Sequence, residues 1–295
     1  MKEEFVGRKG VSLERFRTLC AVAEAGGVMN AAGGDPNRQS LYSRQLKELE
    51  QGLGLGLLDR SSSPNRLTTT GAEVERAART FLGEIGRLLE IDAGREPVVG
   101  IGAGESIIQW LLLPRLAPRA GLGGVMLRFH NLKARVAEER VRSRRLDLAV
   151  VGVADSPADL EAETLGHYGM VLVASKGLLK RGKIRLERLA GMRLAVLEGS
   201  GRVRRRLAEL EAGGGPTVGL ECTSYPQVIE ACLEGGFVGI VPKIVRTASL
   251  PPDLEIREVP ELAEITTDLT MLWHPAAYED RAELRKVIGW LRGKR

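Results

Sequence analysis

The sequence predicts a multidomain α+β chain: a small helical unit closed by a hairpin, one long helix, and a larger α/β unit. Three observations carry this. Residues 12 to 53 hold three helical patterns separated by glycines. Residues 71 to 90 carry apolar residues at alternating steps of four and three. From residue 97 onward, apolar strand-like runs alternate with helical stretches. A length of 295 residues gives room for two or three folding units.

Composition narrows the class. Hydrophobic residues at 43% and charged residues at 27% are the balance of ordinary globular protein. The net charge of +5 is compatible with a polyanionic partner without requiring one. Up to Arg95 acids nearly match bases, so a nucleic-acid reading has to rest on local geometry. The opening MKEEFVGRKG lacks the apolar stretch of a secretory signal. No apolar run approaches the ~20 residues of a membrane span. Cys20, Cys222, Cys232 and the three histidines fall without metal-ligand spacing. A cytoplasmic protein with no membrane contact, metal or cofactor is expected.

In the first helix, SLERFRTLCAVAEA, Ser12 is a candidate N-cap, and Leu13, Phe16, Leu19, Cys20 and Ala23 share one face. Gly26-Gly27 ends it. A short second helix, 28 to 32, stops at Gly33-Gly34. Asp35 then offers a cap and Pro36 a first helical residue, with Asn37 as a competing cap. The third helix has two faces. Tyr42, Leu46, Leu49 and Leu53 form an apolar stripe. Ser40, Ser43, Arg44 and Lys47 lie opposite, with Arg38 and Gln39 in the first turn. Arg and Lys can read guanine or hold phosphate, Gln can read adenine, and Ser can do either. Taken alone, such a face is an ordinary solvated face. Placed after a tight turn, it has the geometry of a helix-turn-helix reading head for double-stranded DNA.

The next stretch, LGLGLLDRSSSPNRLTTTG, reads as a short strand, a turn over 61 to 65, and a return strand ending at Thr68 to Thr70. That is a wing, with Arg60 and Arg66 placed for phosphates, which makes the unit a winged helix-turn-helix over residues 1–70. In order and without a gap come Ala31-Ala32, Gln39, Ser43-Arg44-Gln45-Leu46, Leu49-Glu50, Leu53-Gly54, Leu57, Arg60, Leu67-Thr68 and Gly71. This pattern resembles the LysR-type transcriptional regulators. The chain departs from it at Gly33 to Arg38, at Ser40 where the family has Pro, and at Leu58-Asp59. The resemblance implies the fold; the departures bear on which DNA sequence is preferred.

Between residues 71 and 95 the apolar positions Val74, Ala78, Phe81, Ile85 and Leu88 form a coiled-coil seam for a long linker helix. The seam points to dimerisation, and the resemblance implies a homodimer or homotetramer. DAGREP, 92 to 97, reads as a hinge.

Residues 96–295 alternate strands and helices, which indicates an α/β unit with mainly parallel strands. Ligands bind such sheets beyond the strand ends. Three corners stand out there: GAGES (102 to 106), EGSGR (198 to 202) and CTSY (222 to 225). Each has a small hydroxyl residue at a helix start, which suits an anion. This half is similar to the effector-binding domain of the same family, matching Gly100-Ile101-Gly102, Leu113-Pro114, Leu146 to Val150, Glu198 to Gly201 and Gly236 to Pro242. The resemblance implies a two-subdomain fold of the periplasmic-binding-protein type. Subdomain I takes 96–166 and 267–295, and subdomain II takes 167–266. A small-molecule effector of unknown identity would lie between them. Ser106 matches a family contact, Ser200, Arg202 and Thr223 are further candidates, and the carboxylate of Glu105 would repel an acidic ligand or could bind an amine.

The chemistry-bearing residues argue against an enzyme. No corner pairs a nucleophile with a base, and no paired carboxylates or metal cluster stand out.

Overall fold

The computed structural model describes residues 7–59, 61, 65–121, 123–152, 157–180, 182–199, 201–245 and 250–293. The chain divides into two compact units: Met1–Pro97 with Ser143–Arg145, and Val98–Arg142 with Leu146–Arg295.

In the first unit, α1 (Leu13–Ala25), α2 (Val28–Ala32) and α3 (Pro36–Leu53) pack around Leu19, Val22, Val28, Leu46, Leu49 and Leu57. Each such leucine contributes about 1.5–3 kcal/mol on burial. Leu13, expected on the inner face, is instead 56% exposed, and Val22 is buried in that core. Leu13 opens the helix, where no neighbouring turn covers it. Ser12 caps α1 by accepting from the Arg15 N–H at 3.4 Å.

A minimal hairpin, β1 (Leu58–Asp59) with β2 (Arg66–Leu67), forms the wing. The return strand is shorter than the sequence suggests. Thr68 leaves the ladder and caps α4 (Thr69–Asp92), so Thr69 and Thr70 are helical. Its hydroxyl donates to Gly56 O at 2.7 Å and accepts from Gly71 N at 2.9 Å. A side chain at Gly71 would place Cβ 2.1 Å from Leu57 O, so only glycine lets the helix start close against the wing. At ~1.5 Å per residue, the 24 residues of α4 span about 36 Å.

The second unit holds two five-stranded sheets. The strands of the first are β3 (Val98–Ala103), β4 (Met126–Asn131), β5 (Leu148–Gly152), β6 (Glu161–Tyr168) and β12 (Thr267–Trp273), in the order β4-β3-β5-β12-β6. The second sheet has β7 (Met170–Ser175), β8 (Arg193–Leu197), β9 (Thr217–Cys222), β10 (Val238–Pro242) and β11 (Leu254–Arg257), in the order β11-β7-β10-β8-β9. The chain crosses between them at Gly169 and returns through residues 264 to 266.

The expectation of mainly parallel sheets needs correcting. β3 runs parallel to β4 and β5, and β8 to β9 and β10. β12 runs antiparallel to β5 and β6, and β7 antiparallel to β10 and β11. The reversed strands are β7 and β12, by which the chain enters each sheet from the other. Neither is reached by a helical crossover from a neighbour in its own sheet, so neither need run parallel to its neighbours.

Helices flank both sheets. Glu105–Ile107 (α5) continues as a π-helical turn, Ile108–Leu112, and then as Leu113–Leu116 (α6). Next come α7 (Ala134–Arg142), α8 (Arg202–Ala212), α9 (Tyr225–Gly235) and the short α10 (Pro260–Ala263). The chain closes on two helices, α11 (Pro275–Asp280) and α12 (Ala282–Leu291). Arg281 between them is extended, because its guanidinium is held by Asp147, by Glu283 at 2.9 Å and by Val98 O at 2.8 Å.

Candidate nucleic-acid interface and ligand cleft

The reading head begins at a turn of three residues. Gly33 and Gly34 take φ values of 63° and 82°, a left-handed backbone that glycine adopts without strain. Asp35 then caps α3, its carboxylate accepting from the Asn37 N–H at 2.9 Å and the Arg38 N–H at 3.4 Å. Pro36 follows as the first helical residue, and Asn37 is inside the helix rather than at its cap.

Arg38, Gln39, Ser40, Ser43, Arg44 and Lys47 are all exposed along the head and outer side of α3. Leu46 and Leu49 are buried on the other side, with Tyr42 and Leu53 half-buried. Arg66 is exposed on the wing, and Arg60 lies outside the described residues.

What holds this face outward is polar and long-range. Gln45 is buried at the crossing of α1 and α3. Its carbonyl accepts from the Thr18 hydroxyl at 2.7 Å, and its amide donates to Glu14 at 2.9 Å. Sequence reasoning passed over Gln45, although it sits inside the Ser-Arg-Gln-Leu run. Glu48 pairs with Arg15, with Nε 2.9 Å away, and the guanidinium holds its carboxyl below the usual range. Glu50 accepts the backbone N–H groups of Leu57 and Leu58 at 2.8 and 3.1 Å, fixing the wing to the helix. Both acids near the end of α3 are therefore engaged within the fold and do not oppose a phosphate.

The seam on α4 splits in two. Val74 packs against the unit's own core and Ala78 is 7% exposed. Arg79 ties the same side of α4 to α1 by donating to Cys20 O at 2.9 Å, while Glu75 on α4 itself holds its Nε at 2.6 Å. Phe81, Ile85, Leu88 and Leu89 are 52%, 42%, 53% and 66% exposed, an apolar strip that the described residues leave open.

In the second unit a cavity of about 590 Å³ opens between the two sheets. Glu105 and Ser106 enter it from the end of β3, Lys133 from the start of α7, Glu198 from the end of β8, and Thr223 and Ser224 from the end of β9. Tyr168, Tyr225 and Thr267 form its inner wall. Burial raises the phenol pKa of both Tyr168 and Tyr225, so both rings stay neutral. Thr223 donates its hydroxyl to Gln227 at 3.0 Å. Lys133 and Glu198 pair at 3.1 Å. Arg202 lines a smaller neighbouring cavity of about 200 Å³ instead, together with Gly199 and Gly201, and Ser200 lies outside the described residues. The three sequence corners therefore divide between two cavities. Ser224, which the sequence reading left out, is buried beside Thr223 and is treated below.

Among the described residues, no group of three His, Cys, Asp or Glu could hold a metal. The three thiols are buried and raised by desolvation, Cys232 to about 12, so none is a thiolate at neutral pH. No helix among the described residues is long and apolar enough to cross a membrane.

Comparison with known proteins decides the family. The model of the bacterial regulatory helix-turn-helix protein, lysR family, matches residues 13–72, and that of the LysR substrate binding domain matches residues 92–294. The chain belongs to the LysR family. Among curated relatives is the HTH-type transcriptional regulator HdfR of Salmonella typhimurium, 27% identical over 165 residues. That match covers 51% of this chain and 56% of the relative, so it spans little more than half the relative's length.

Solved structures share the fold across nearly the whole LysR-family chain. Full-length OxyR from Pseudomonas aeruginosa has a TM-score of 0.64 at 19% identity, covering 96% of this chain and 94% of OxyR. CbnR in complex with its target DNA has a TM-score of 0.59 at 18% identity, covering 96% and 99%. CrgA from Neisseria meningitidis has a TM-score of 0.54 at 20% identity, covering 96% and 98%.

Proposed function

We propose that this LysR-family chain is a transcriptional regulator that reads operator DNA as a homo-oligomer and responds to a small molecule in the cleft of its second unit. The observation that carries the reading is the outer side of α3. Six polar residues, three of them cationic, stand exposed directly after a capped turn. Gln39, Ser43 and Arg44 are assigned to base edges, and Arg38, Lys47 and Arg66 to phosphates. Ser40 stands where the family has proline and is assigned to DNA contact as well. CbnR, of similar fold, was solved on its target DNA, which supports the same use here.

The exposed strip of Phe81, Ile85 and Leu88 is assigned to pairing with a second copy. Two heads would then need half-sites one or more helical turns apart. Glu105, Ser106 and Thr223 are assigned to the ligand, which shifts the population of DNA-bound arrangements by its preference for one cleft geometry. No catalytic role is assigned, and the protein is placed in the cytoplasm with its DNA.

Selection from random-sequence duplexes tests this. An inverted repeat should be enriched, bound with a steep loss of affinity as salt rises. Enrichment of no sequence, with the protein folded, would sink the reading.

A further inference from the structure

We propose, resting on the ligand cleft just assigned, that its ligand is an organic cation: a small molecule with a protonated amine on an apolar body. The 590 Å³ cavity carries three charged side chains, Glu105, Lys133 and Glu198. Lys133 and Glu198 neutralise each other at 3.1 Å. Glu105 has no partner among the described residues, so one carboxylate remains uncompensated. Arg202, the guanidinium that could have favoured an acid, lines the neighbouring cavity. Among the described residues lining the 590 Å³ cavity no unpaired cation offsets Glu105, so a carboxylate ligand there would meet like charge, whereas an ammonium meets opposite charge.

A second, independent observation points the same way. Ser224 is 9% exposed, and its hydroxyl oxygen is covered and has no hydrogen-bond partner. It occupies the N-cap of α9 but makes no capping bond. The neighbouring Thr223 spends its hydroxyl and its N–H on Gln227, both at 3.0 Å. A covered hydroxyl left unpaired is unfavourable, and a rotation of the Ser224 side chain within the wall it helps form would present its oxygen to a donor held in the cavity. Ser106, 8% exposed beside Glu105, is a further hydroxyl on the same wall. An ammonium brings three donors and no acceptor, which suits a carboxylate and two hydroxyl oxygens. The aromatic rings of Tyr168 and Tyr225 line the same space and attract cations by their faces. Ile107, Leu132, Val151 and Leu197 supply the apolar surface for the ligand body.

Ligand-observed NMR on the full chain tests the inference with three fragment sets sharing the same alkyl and aryl bodies: primary ammonium, carboxylate and neutral alcohol. Hits should concentrate in the ammonium set, with at least fivefold preference over the matched carboxylates. Glu105→Gln should weaken those hits about tenfold and erase the preference. Thr223→Trp, at an exposed position on the wall, should block them, with thermal melts confirming that each variant is folded. Carboxylate hits that Thr223→Trp blocks would overturn the cation and leave the ligand cleft standing. So would an ammonium preference that survives Glu105→Gln. Hits that Thr223→Trp does not block, or no hit in any set, would overturn the cleft itself. The DNA selection above stands apart from all of these outcomes.

Discussion

Lys133 and Glu198 meet across the mouth of the cleft, Nζ to Oε1 at 3.1 Å, one carried by each half of the second unit. Both are well exposed, and pairs of this kind contribute only about 0–1 kcal/mol to stability. Their effect is therefore on geometry. Glu198→Gln should leave the melting temperature nearly unchanged and broaden the distance distribution between spin labels on the two halves. An unaltered distribution would show that the pair does not restrain the cleft.

Reading of DNA should fail residue by residue on α3. Arg44→Ala is expected to cost about 1–3 kcal/mol of operator affinity, and to relax preference at one base pair. Lys47→Ala should weaken all sequences alike and flatten the salt dependence by about one phosphate contact. Gel shifts over a salt series separate the two, and equal behaviour of both variants would contradict the assignment.

Gln45 stabilises the crossing of α1 and α3 from within. Replacing it with Leu strands the buried Thr18 hydroxyl, so Gln45→Leu should cost about 1–3 kcal/mol in urea unfolding. Wild-type stability in that variant would mean that the buried network is dispensable.

The two ends of the α4 seam should behave differently. Phe81→Asp is expected to leave the fold intact and lower the mass seen by sedimentation. Val74→Asp places a charge against the unit's own core and should unfold it instead. A Phe81→Asp protein with unchanged mass would remove the strip from the subunit contact.

Acid should loosen the reading head through Glu48. The Arg15 guanidinium holds its carboxyl below the ordinary 4.5, so its stabilisation is complete above that value and is lost as pH falls through the depressed one. Melting of the protein below about pH 4.5 should therefore be less acid-sensitive in Glu48→Gln. Identical slopes would show that the pair contributes nothing.

Much of this was legible in local chemistry. Asp35-Pro36 announces a helix start because a cap needs only its next three residues. The stripe of Leu46 and Leu49 follows from helical period alone. What escaped was long-range or unpatterned. Gln45 lies 27 residues from Thr18 and 31 from Glu14, and no spacing rule links them. β6 went unread because Glu161–Tyr168 is partly exposed along most of its length and lacks an apolar run. Ser224 was passed over for Thr223, since both hydroxyls sit at the same corner and only the fold shows which one Gln227 occupies. The split of the α4 seam depends on α1 covering Val74 and Ala78, which no heptad count reveals.

The two segments that join the sheets, at Gly169 and at residues 264 to 266, also have a mechanical consequence. A third cavity, of about 420 Å³, is walled by both, through His167, Gly169, Ala263 and Thr266. Any swing of one half against the other bends these two spans like the spine of a book. The space beside the spine must then change shape in step with the opening of the pages.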